Sequence, residues 1–390
     1  MRTASLPAAI VLCLTIIASI APFASAQPQP TYPNLPYATV GTQQMMLDLY
    51  LPSAAAATGP YPCIINIHGG GWSGGSRYPI NSVMTTLMQN GFAIASVSYR
   101  LTSQAGQYGP GVSVTFPSQI QDVKGAVRWL RANASVFNLD SSRFGSYGTS
   151  AGGHLSALLG ASGNVAALEG NVGGNVGFSS RVQACADYFG PTDIININLD
   201  VTTPPGSTIN HDAPISPESR LVDWDNPGQG IGDIRANLAN PSPPYPALVA
   251  LCNQVNPISF VSADDPAFFI GHGQQDTSVP IMQSQRLANA LAAIAHPHTF
   301  MISPTAGHGA LGETINAQTV EFFRRVLRKP GDVDTNGVVD VNDLLAVIVG
   351  WGPCPGGSQP APCLADVSPH AVGNGAVDVG DLLLVITNWG

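Results

Sequence analysis

With 390 residues, 44% of them hydrophobic and 10% charged, the chain has enough apolar material for a large core, which excludes both wholesale disorder and a small disulfide-stapled scaffold. Its formal charge is −9, from 15 basic and 24 acidic residues, and no basic run occurs, which argues against a protein that tracks nucleic-acid phosphates. Asp332, Asp334, Asp340, Asp343, Asp366, Asp378 and Asp381 all fall in residues 331–390, which hold no Lys, Arg or Glu, so a small acidic body follows a large, nearly neutral one.

At the N-terminus, Arg2, an apolar stretch from Leu6 to Ala24, and Ala24-Ser25-Ala26 before Gln27 have the form of a secretory signal peptide over residues 1–26. Pro7, Ser19 and Pro22 interrupt the stretch, and no later run reaches the ~18 apolar residues of a membrane span, so the expectation is export with no membrane span. Five cysteines remain beyond Cys13. Cys354 and Cys363 can close a small loop in an oxidising compartment, Cys185 with Cys252 is a second pairing left open, and the odd count leaves at least one thiol over.

Residues 27–36 carry four prolines and read as an extended linker, with the main domain over 37–329 and the acidic domain over 330–390. Short apolar runs predict strands at Tyr61 to His68, Phe92 to Tyr99, Arg143 to Tyr147, Val182 to Phe189, Ala267 to Gly271 and Thr299 to Ile302. Helical spacing predicts helices over Ser82 to Asn90 and Pro117 to Asn133, one starting at Ser150, and two more over Ile281 to Ile294 and Glu313 to Leu327. In the second of these, Asp122, Lys124, Arg128 and Arg131 are expected on the outer face. Alternating strands and helices imply an α/β fold, a doubly wound and mainly parallel sheet whose ligands bind at the strand C-terminal ends.

Gly148-Thr149-Ser150-Ala151-Gly152 fits G-x-S-x-G between a predicted strand and a helix, the setting that projects a serine hydroxyl from a sharp turn. A serine becomes a nucleophile only when a base takes its proton and a carboxylate orients that base. Asp276 and His308 follow successive strands on loops at one sheet edge and supply both, giving the chain order Ser, Asp, His. Asp193, Asp264 and Asp265 are rival acids. His272 reads as a strand-end residue near Asp276, and His296 and His298 as part of a surface turn. Directly after a strand, His68-Gly69-Gly70-Gly71-Trp72 leaves backbone N–H groups unshielded, so the amides of Gly70, Gly71 and Ala151 are expected to form an oxyanion hole. His68 is expected to fix this loop, and Trp72 to line the pocket or to pack in the core.

H-G-G-G-W, S-Y-R-L at 98–101, D-V-K-G-A-V-R-W-L-R-A-N, G-T-S-A-G-G-H-L, F-G-P-T-D and H-G-x-x-D-x-x-V-P, in this order, resemble the α/β-hydrolase carboxylesterases. The likeness is to the secreted feruloyl- and acetylxylan-esterase-like branch of the hormone-sensitive-lipase-like group, over roughly residues 37–329. It implies a serine carboxylic-ester hydrolase acting through an acyl-enzyme on acetyl or feruloyl esters of plant-type polysaccharides, with no cofactor for catalysis. Thr149 departs from the group, many of whose members have Asp there. The segment 191–265, with S-P-E-S-R-L, is expected to be an insert that shapes substrate choice. An oligopeptidase of the same fold is the alternative enzyme; a calcium-dependent scaffold or adhesion protein with an inactive hydrolase body is the alternative from another class.

The acidic tail contains a duplication: D-L-L-A-V-I-V-G-W-G returns as D-L-L-L-V-I-T-N-W-G 38 residues later. Asp332, Asp334, Asn336, Asp340 and Asp343 stand at positions 1, 3, 5, 9 and 12 of a loop with Gly337 at 6 and the Val338 carbonyl at 7, the oxygen pattern of a calcium loop. In the second copy Asp378 and Asp381 match positions 9 and 12, and an insertion lets Asp366 and Ser368 serve with Asn374 and the Ala376 carbonyl. Three carboxylates instead of four predict weaker Ca2+ binding there. The pair resembles type I dockerin repeats, which implies a cohesin-like or cell-surface partner for the tail.

Overall fold

The structure, a computed structural model, describes residues 27–390 except 55, 58, 164, 203, 335–336, 355–362, 364, 368–373 and 390. The expected signal peptide, Asn336 and Ser368 therefore lie outside the described residues.

Eight strands form one sheet: β1 (Tyr32–Val40), β2 (Gln43–Tyr50), β3 (Tyr61–Ile67), β4 (Ala93–Val97), β5 (Leu139–Thr149), β6 (Ala184–Tyr188), β7 (Ala267–Gly273) and β8 (His298–Ser303). Their order is β1-β2-β4-β3-β5-β6-β7-β8, with β2 antiparallel to both neighbours and every other pair parallel. The flanking helices are α1 (Ser82–Gln89), α2 (Ser118–Ala132), α3 (Ala151–Ala161), α4 (Ala166–Glu169), α5 (Pro217–Leu221), α6 (Ile231–Ala236), α7 (Tyr245–Val255), α8 (Met282–Ala293) and α9 (Glu313–Val326). This is a mostly parallel central sheet covered by helices, consistent with the α/β-hydrolase fold.

Strand side chains alternate between faces, and the core divides accordingly. Cys63, Ile65 and Ile67 of β3 join Ile120, Val123 and Leu155 from α2 and α3 on one face. Ile64 joins Val83, Met84, Ile315 and Phe323 from α1 and α9 on the other. Both faces being covered explains why β3 and β4 read as mostly apolar runs, broken only by Asn66 and Ser96.

Two expectations need correction. Residues 32–36 are not linker but the first half of β1, so the main domain begins before residue 37. An edge strand leaves one side of its backbone without a ladder, and the register shifts between Tyr32/Leu35 and Pro36/Ala38 let Pro33 and Pro36 be accommodated. In α2, Asp122, Lys124 and Arg128 are buried, not outward. Asp122 takes the Arg100 guanidinium at 2.8 Å, and Lys124 and Arg128 converge on Glu169 of α4, which closes over this face.

The tail consists of α10 (Val341–Val349) and α11 (Val379–Thr387), with β9 (Gly352–Pro353) antiparallel to β10 (Ala376–Val377). It has its own small core of Val333, Val339, Val347, Val367, Val377 and Val385. Cys354 and Cys363 are disulfide-bonded. Cys185 and Cys252 are not paired: like Cys63 they are free buried thiols, and they sit in different core clusters. Among the described residues no helix is long and apolar enough to cross a membrane.

Candidate active site

Ser150 stands between the end of β5 and the start of α3 with φ 56° and ψ −126°, a left-handed conformation that costs a non-glycine residue on the order of 1–3 kcal/mol. Neighbouring backbone holds it there: Ser150 N–H donates to the Tyr188 carbonyl at 2.9 Å, and the Ser150 carbonyl accepts His154 N–H at 2.9 Å. The turn is so tight that a Cβ on Gly148 would lie 2.0 Å from the Gly152 carbonyl oxygen, and one on Gly152 would lie 2.1 Å from that of Ile67. Both glycines of the motif are therefore required by close backbone approach.

His308 and Asp276 arrive from the loops after β8 and β7. His308 Nε2 lies 2.9 Å from Ser150 Oγ, and Nδ1 lies 2.8 Å from Asp276 Oδ2. Asp276 is buried, and its Oδ1 accepts the backbone N–H of Ser278 at 2.8 Å and of Val279 at 2.9 Å. Burial by itself would raise the Asp276 pKa, but hydrogen bonds from His272 and His308 and the charge of both imidazoles hold it well below the usual carboxylate range. An ionised Asp276 only accepts, so Nδ1 of His308 carries the proton and Nε2 offers its lone pair to the Ser150 hydroxyl.

The rival groups go elsewhere. Asp193 bonds Asn196 and Asn256, Asp264 pairs with Arg181, and Asp265 takes the Ser262 hydroxyl. His272 is fully buried between Ser284 Oγ at 2.7 Å and the Val279 carbonyl at 3.0 Å, with Nε2 3.4 Å from Asp276 Oδ2. His296 and His298 are not on a surface turn: His296 is buried against the Pro266 carbonyl and His298 opens β8.

Gly70, Gly71 and Ala151 line one cleft of about 730 Å³ together with Ser150 and His308. Gly69, which the sequence did not single out, also approaches Ser150, a Cβ there falling 3.2 Å from that of Ser150. His68 stacks on Tyr99 at 4.5 Å and its carbonyl accepts the Tyr99 hydroxyl, as expected of a loop-fixing residue. Trp72 both lines the cleft and is buried. Its Nε1 donates to His154 Nδ1 at 3.1 Å, and burial pushes His154 down to about 4.

The insert packs into the main core through Leu221, Ile231, Ile234 and Cys252 and reaches the cleft with Ile209, His211, Pro217 and Glu218. It also braces the loop that carries Asp276. Thr208 N–H donates to the Thr277 carbonyl at 2.7 Å, and His211 Nε2 lies 3.1 Å from that of Ser278.

Behind the elbow, Asp187 of β6 is paired in register with Gly148 and wholly buried. Its Oδ1 accepts Gly190 N–H at 2.9 Å, while Oδ2 has no partner among the described residues. Burial pushes its carboxyl up to about 7, with the Gly190 bond opposing. The folded chain thus keeps a proton that the unfolded chain releases near pH 4, so this contribution to stability is complete below pH 4 and lost as pH rises through 7. Asp187→Asn keeps an acceptor for Gly190 and cannot ionise. It is expected to remove a loss on the order of 4 kcal/mol between pH 4 and pH 8. Thermal melts across that range check this, and parallel pH profiles for the two proteins would refute it.

In the tail, carboxylate oxygens of Asp332, Asp334 and Asp343 all lie within 4.8 Å of one another. Asp332 accepts Gly337 N–H at 2.9 Å, Gly337 has φ 89°, and Asp343 takes the N–H groups of Val333, Asp334 and Asp340. The second loop repeats this: Asp366 accepts Asn374 and Gly375 N–H, and Asp381 accepts those of Val367 and Asp378. Asp340 and Asp378 cap α10 and α11 at equivalent positions. Asp366 thus takes in the second loop the place of Asp332 in the first, and the Val338 and Ala376 carbonyls fall in the two loops ahead of these caps. The all-oxygen donor set of the first loop suits a hard divalent cation.

Comparison with known proteins gives the same outline. Esterase LipQ of Mycobacterium tuberculosis (strain ATCC 25618 / H37Rv) is 29% identical over 294 residues, 74% of this chain and 59% of LipQ. A solved structure of a truncated carbohydrate esterase from gut microbiota superimposes with a TM-score of 0.62 at 28% identity, covering 77% of this chain and 97% of that one. A bifunctional GH43-CE from Bacteroides eggerthii gives 0.61 at 30% identity, over 76% of this chain and 35% of that one. The chain spans 59% and 54% of the curated relatives LipQ and LipC, little more than half of each. The family BD-FAE matches residues 47–291, a stretch that contains Ser150, Asp276 and the glycine loop, with His308 just beyond it. On that match, which takes in most of the sheet and the elbow, the chain belongs to the BD-FAE family.

Proposed function

We propose that the chain is a secreted serine carboxylesterase. The observation that carries this reading is the 2.9 Å approach of Ser150 Oγ to His308 Nε2, with Nδ1 2.8 Å from a buried carboxylate, at the C-terminal edge of the sheet. His308 takes the hydroxyl proton as Ser150 Oγ bonds to the ester carbonyl carbon, and the oxygen becomes an oxyanion facing the amides of Gly70, Gly71 and Ala151. The C–O bond to the alcohol then breaks, His308 Nε2–H protonates the departing alcohol, and an acyl-Ser150 ester remains. Water, deprotonated by His308, attacks that ester; the acid leaves and Ser150 regains its proton.

Acetyl or feruloyl esters of polysaccharides are the proposed substrates, a reading supported by membership of the BD-FAE family and by likeness to carbohydrate esterases. Hydrolysis of p-nitrophenyl acetate, acetylated xylan and methyl ferulate by the full chain tests it; no turnover of any of the three would refute it.

The tail is proposed to be a dockerin-like calcium domain that tethers the enzyme to a cohesin-like or cell-surface partner. Asp332, Asp334, Asp340, Asp343 and the Val338 carbonyl would hold the ion of the first loop, which neutralises carboxylates that otherwise repel one another. Exposed apolar side chains repeated 38 residues apart, Val341 and Val379, Leu345 and Leu383, Ile348 and Ile386, Trp351 and Trp389, support a docking role. Calcium titrated into the full chain is expected to release heat in two steps. Asp334→Ala should remove the tighter one, since it deletes a carboxylate of the first loop without touching the backbone bonds of Asp332 and Asp343. Absence of any heat would end the calcium reading.

A further inference from the structure

The wall of the Ser150 cleft contains a carboxylate that the triad does not use. Glu218, in α5, lines the cleft yet is only 2% exposed. Its Oε1 meets His211 Nδ1 at 3.0 Å. The other imidazole nitrogen is tied down, 3.1 Å from the Ser278 carbonyl, and Ser278 N–H in turn donates to Asp276 Oδ1. One oxygen of Glu218 is therefore held rigidly through His211 to the loop of the catalytic acid. The other, Oε2, is buried with no hydrogen-bond partner among the described residues. Buried acceptors are nearly always paired, because an oxygen withdrawn from water without a donor forfeits its solvation.

We propose that Glu218 Oε2 is a specificity site for a substrate hydroxyl: an O–H on the ester donates to it while His211 fixes the carboxylate through Oε1. The proposal rests on the esterase reading above and names its substrate class, esters that carry a free hydroxyl on the alcohol or on the acyl group. A carboxylate only accepts, so the ligand must bring the proton. An ester lacking that hydroxyl leaves Oε2 buried and unpaired in the complex, and a site built to bond a hydroxyl rejects the analogue without it. The donor is a sugar hydroxyl beside an acetyl ester or the phenolic hydroxyl of an aromatic acyl group, and the substrates separate these two sources.

The test measures kcat/KM of the full chain on two matched pairs: a mono-acetylated methyl xyloside with a free neighbouring hydroxyl against its deoxy analogue, and methyl 4-hydroxycinnamate against methyl cinnamate. The hydroxylated member of one pair is expected to be preferred by about tenfold or more. In Glu218→Met, which keeps length without polar atoms, that preference should fall to near one. Ratios near one in both pairs for the wild type, or a preference that survives in a Glu218→Met protein that melts cooperatively, would overturn the proposal. The wild-type ratios decide the matter even where the variant does not fold. A wild type that hydrolyses no ester at all, p-nitrophenyl acetate included, overturns the esterase reading instead.

Discussion

Ser150→Ala is expected to lower kcat for p-nitrophenyl acetate by about 10⁴-fold or more while leaving the melting temperature within a few degrees of wild type. The rate effect is expected to be large because, in the proposed mechanism, Oγ is the atom that bonds to the acyl carbon, and Ala151 offers no hydroxyl in its place. The stability effect is small because the Ser150 backbone, not its side chain, makes the bonds to Tyr188 and His154 that hold the turn. Alanine keeps the Cβ and hence the φ 56° strain, so the elbow persists and its amides with it. The residual rate then reports oxyanion stabilisation and binding alone. Comparable rates from the two proteins would end the serine mechanism, and no rate from either would favour a scaffold with an inactive hydrolase body.

Most of the sheet was legible because its strands are buried on both faces. Tyr61 to His68 and Phe92 to Tyr99 are mostly apolar and rich in β-branched residues, and β3 and β4 fall inside them within two residues at each end. β1, exposed over most of its first half, was not legible for the opposite reason. At the sheet edge the pattern is diluted, and Pro33 and Pro36 read as linker until register shifts absorb them. Buried Lys124 and Arg128 escaped because helical periodicity sorts residues by polarity, whereas their burial depends on Glu169, 41 to 45 positions away. The convergence of Ser150, Asp276 and His308 was readable since each sits in a local motif at or just after the end of a strand. Glu218 and His211 were not, because His211 precedes α5 in irregular chain, so their spacing of seven does not set them on one helix face. Their convergence on the cleft depends on an irregular segment whose path is set by packing of Leu221 and Ile231 in the core.

Asp276→Asn should cost nearly as much as loss of the nucleophile, about 10⁴-fold in kcat with KM little changed. The wild-type carboxylate is fully engaged: Oδ1 accepts the Ser278 and Val279 N–H groups, and Oδ2 faces His308 Nδ1 at 2.8 Å and His272 Nε2 at 3.4 Å. Asparagine must keep its oxygen on the two backbone donors, since turning the amide would set its NH₂ against them. Its nitrogen then replaces Oδ2 and points a hydrogen at His308 Nδ1. Two donors cannot face each other, so the imidazole proton moves to Nε2. That tautomer presents a hydrogen instead of a lone pair to Ser150 Oγ, and the hydroxyl loses its base although every heavy atom stays in place. His272 cannot substitute, because it is held between Ser284 and the Val279 carbonyl. Asp193→Asn provides the contrast. Asp193 lies after β6 and bonds Asn196 and Asn256, so its amide is expected to keep kcat within about tenfold of wild type. The reverse ranking of the two variants would move the acid from the loop after β7 to the segment after β6.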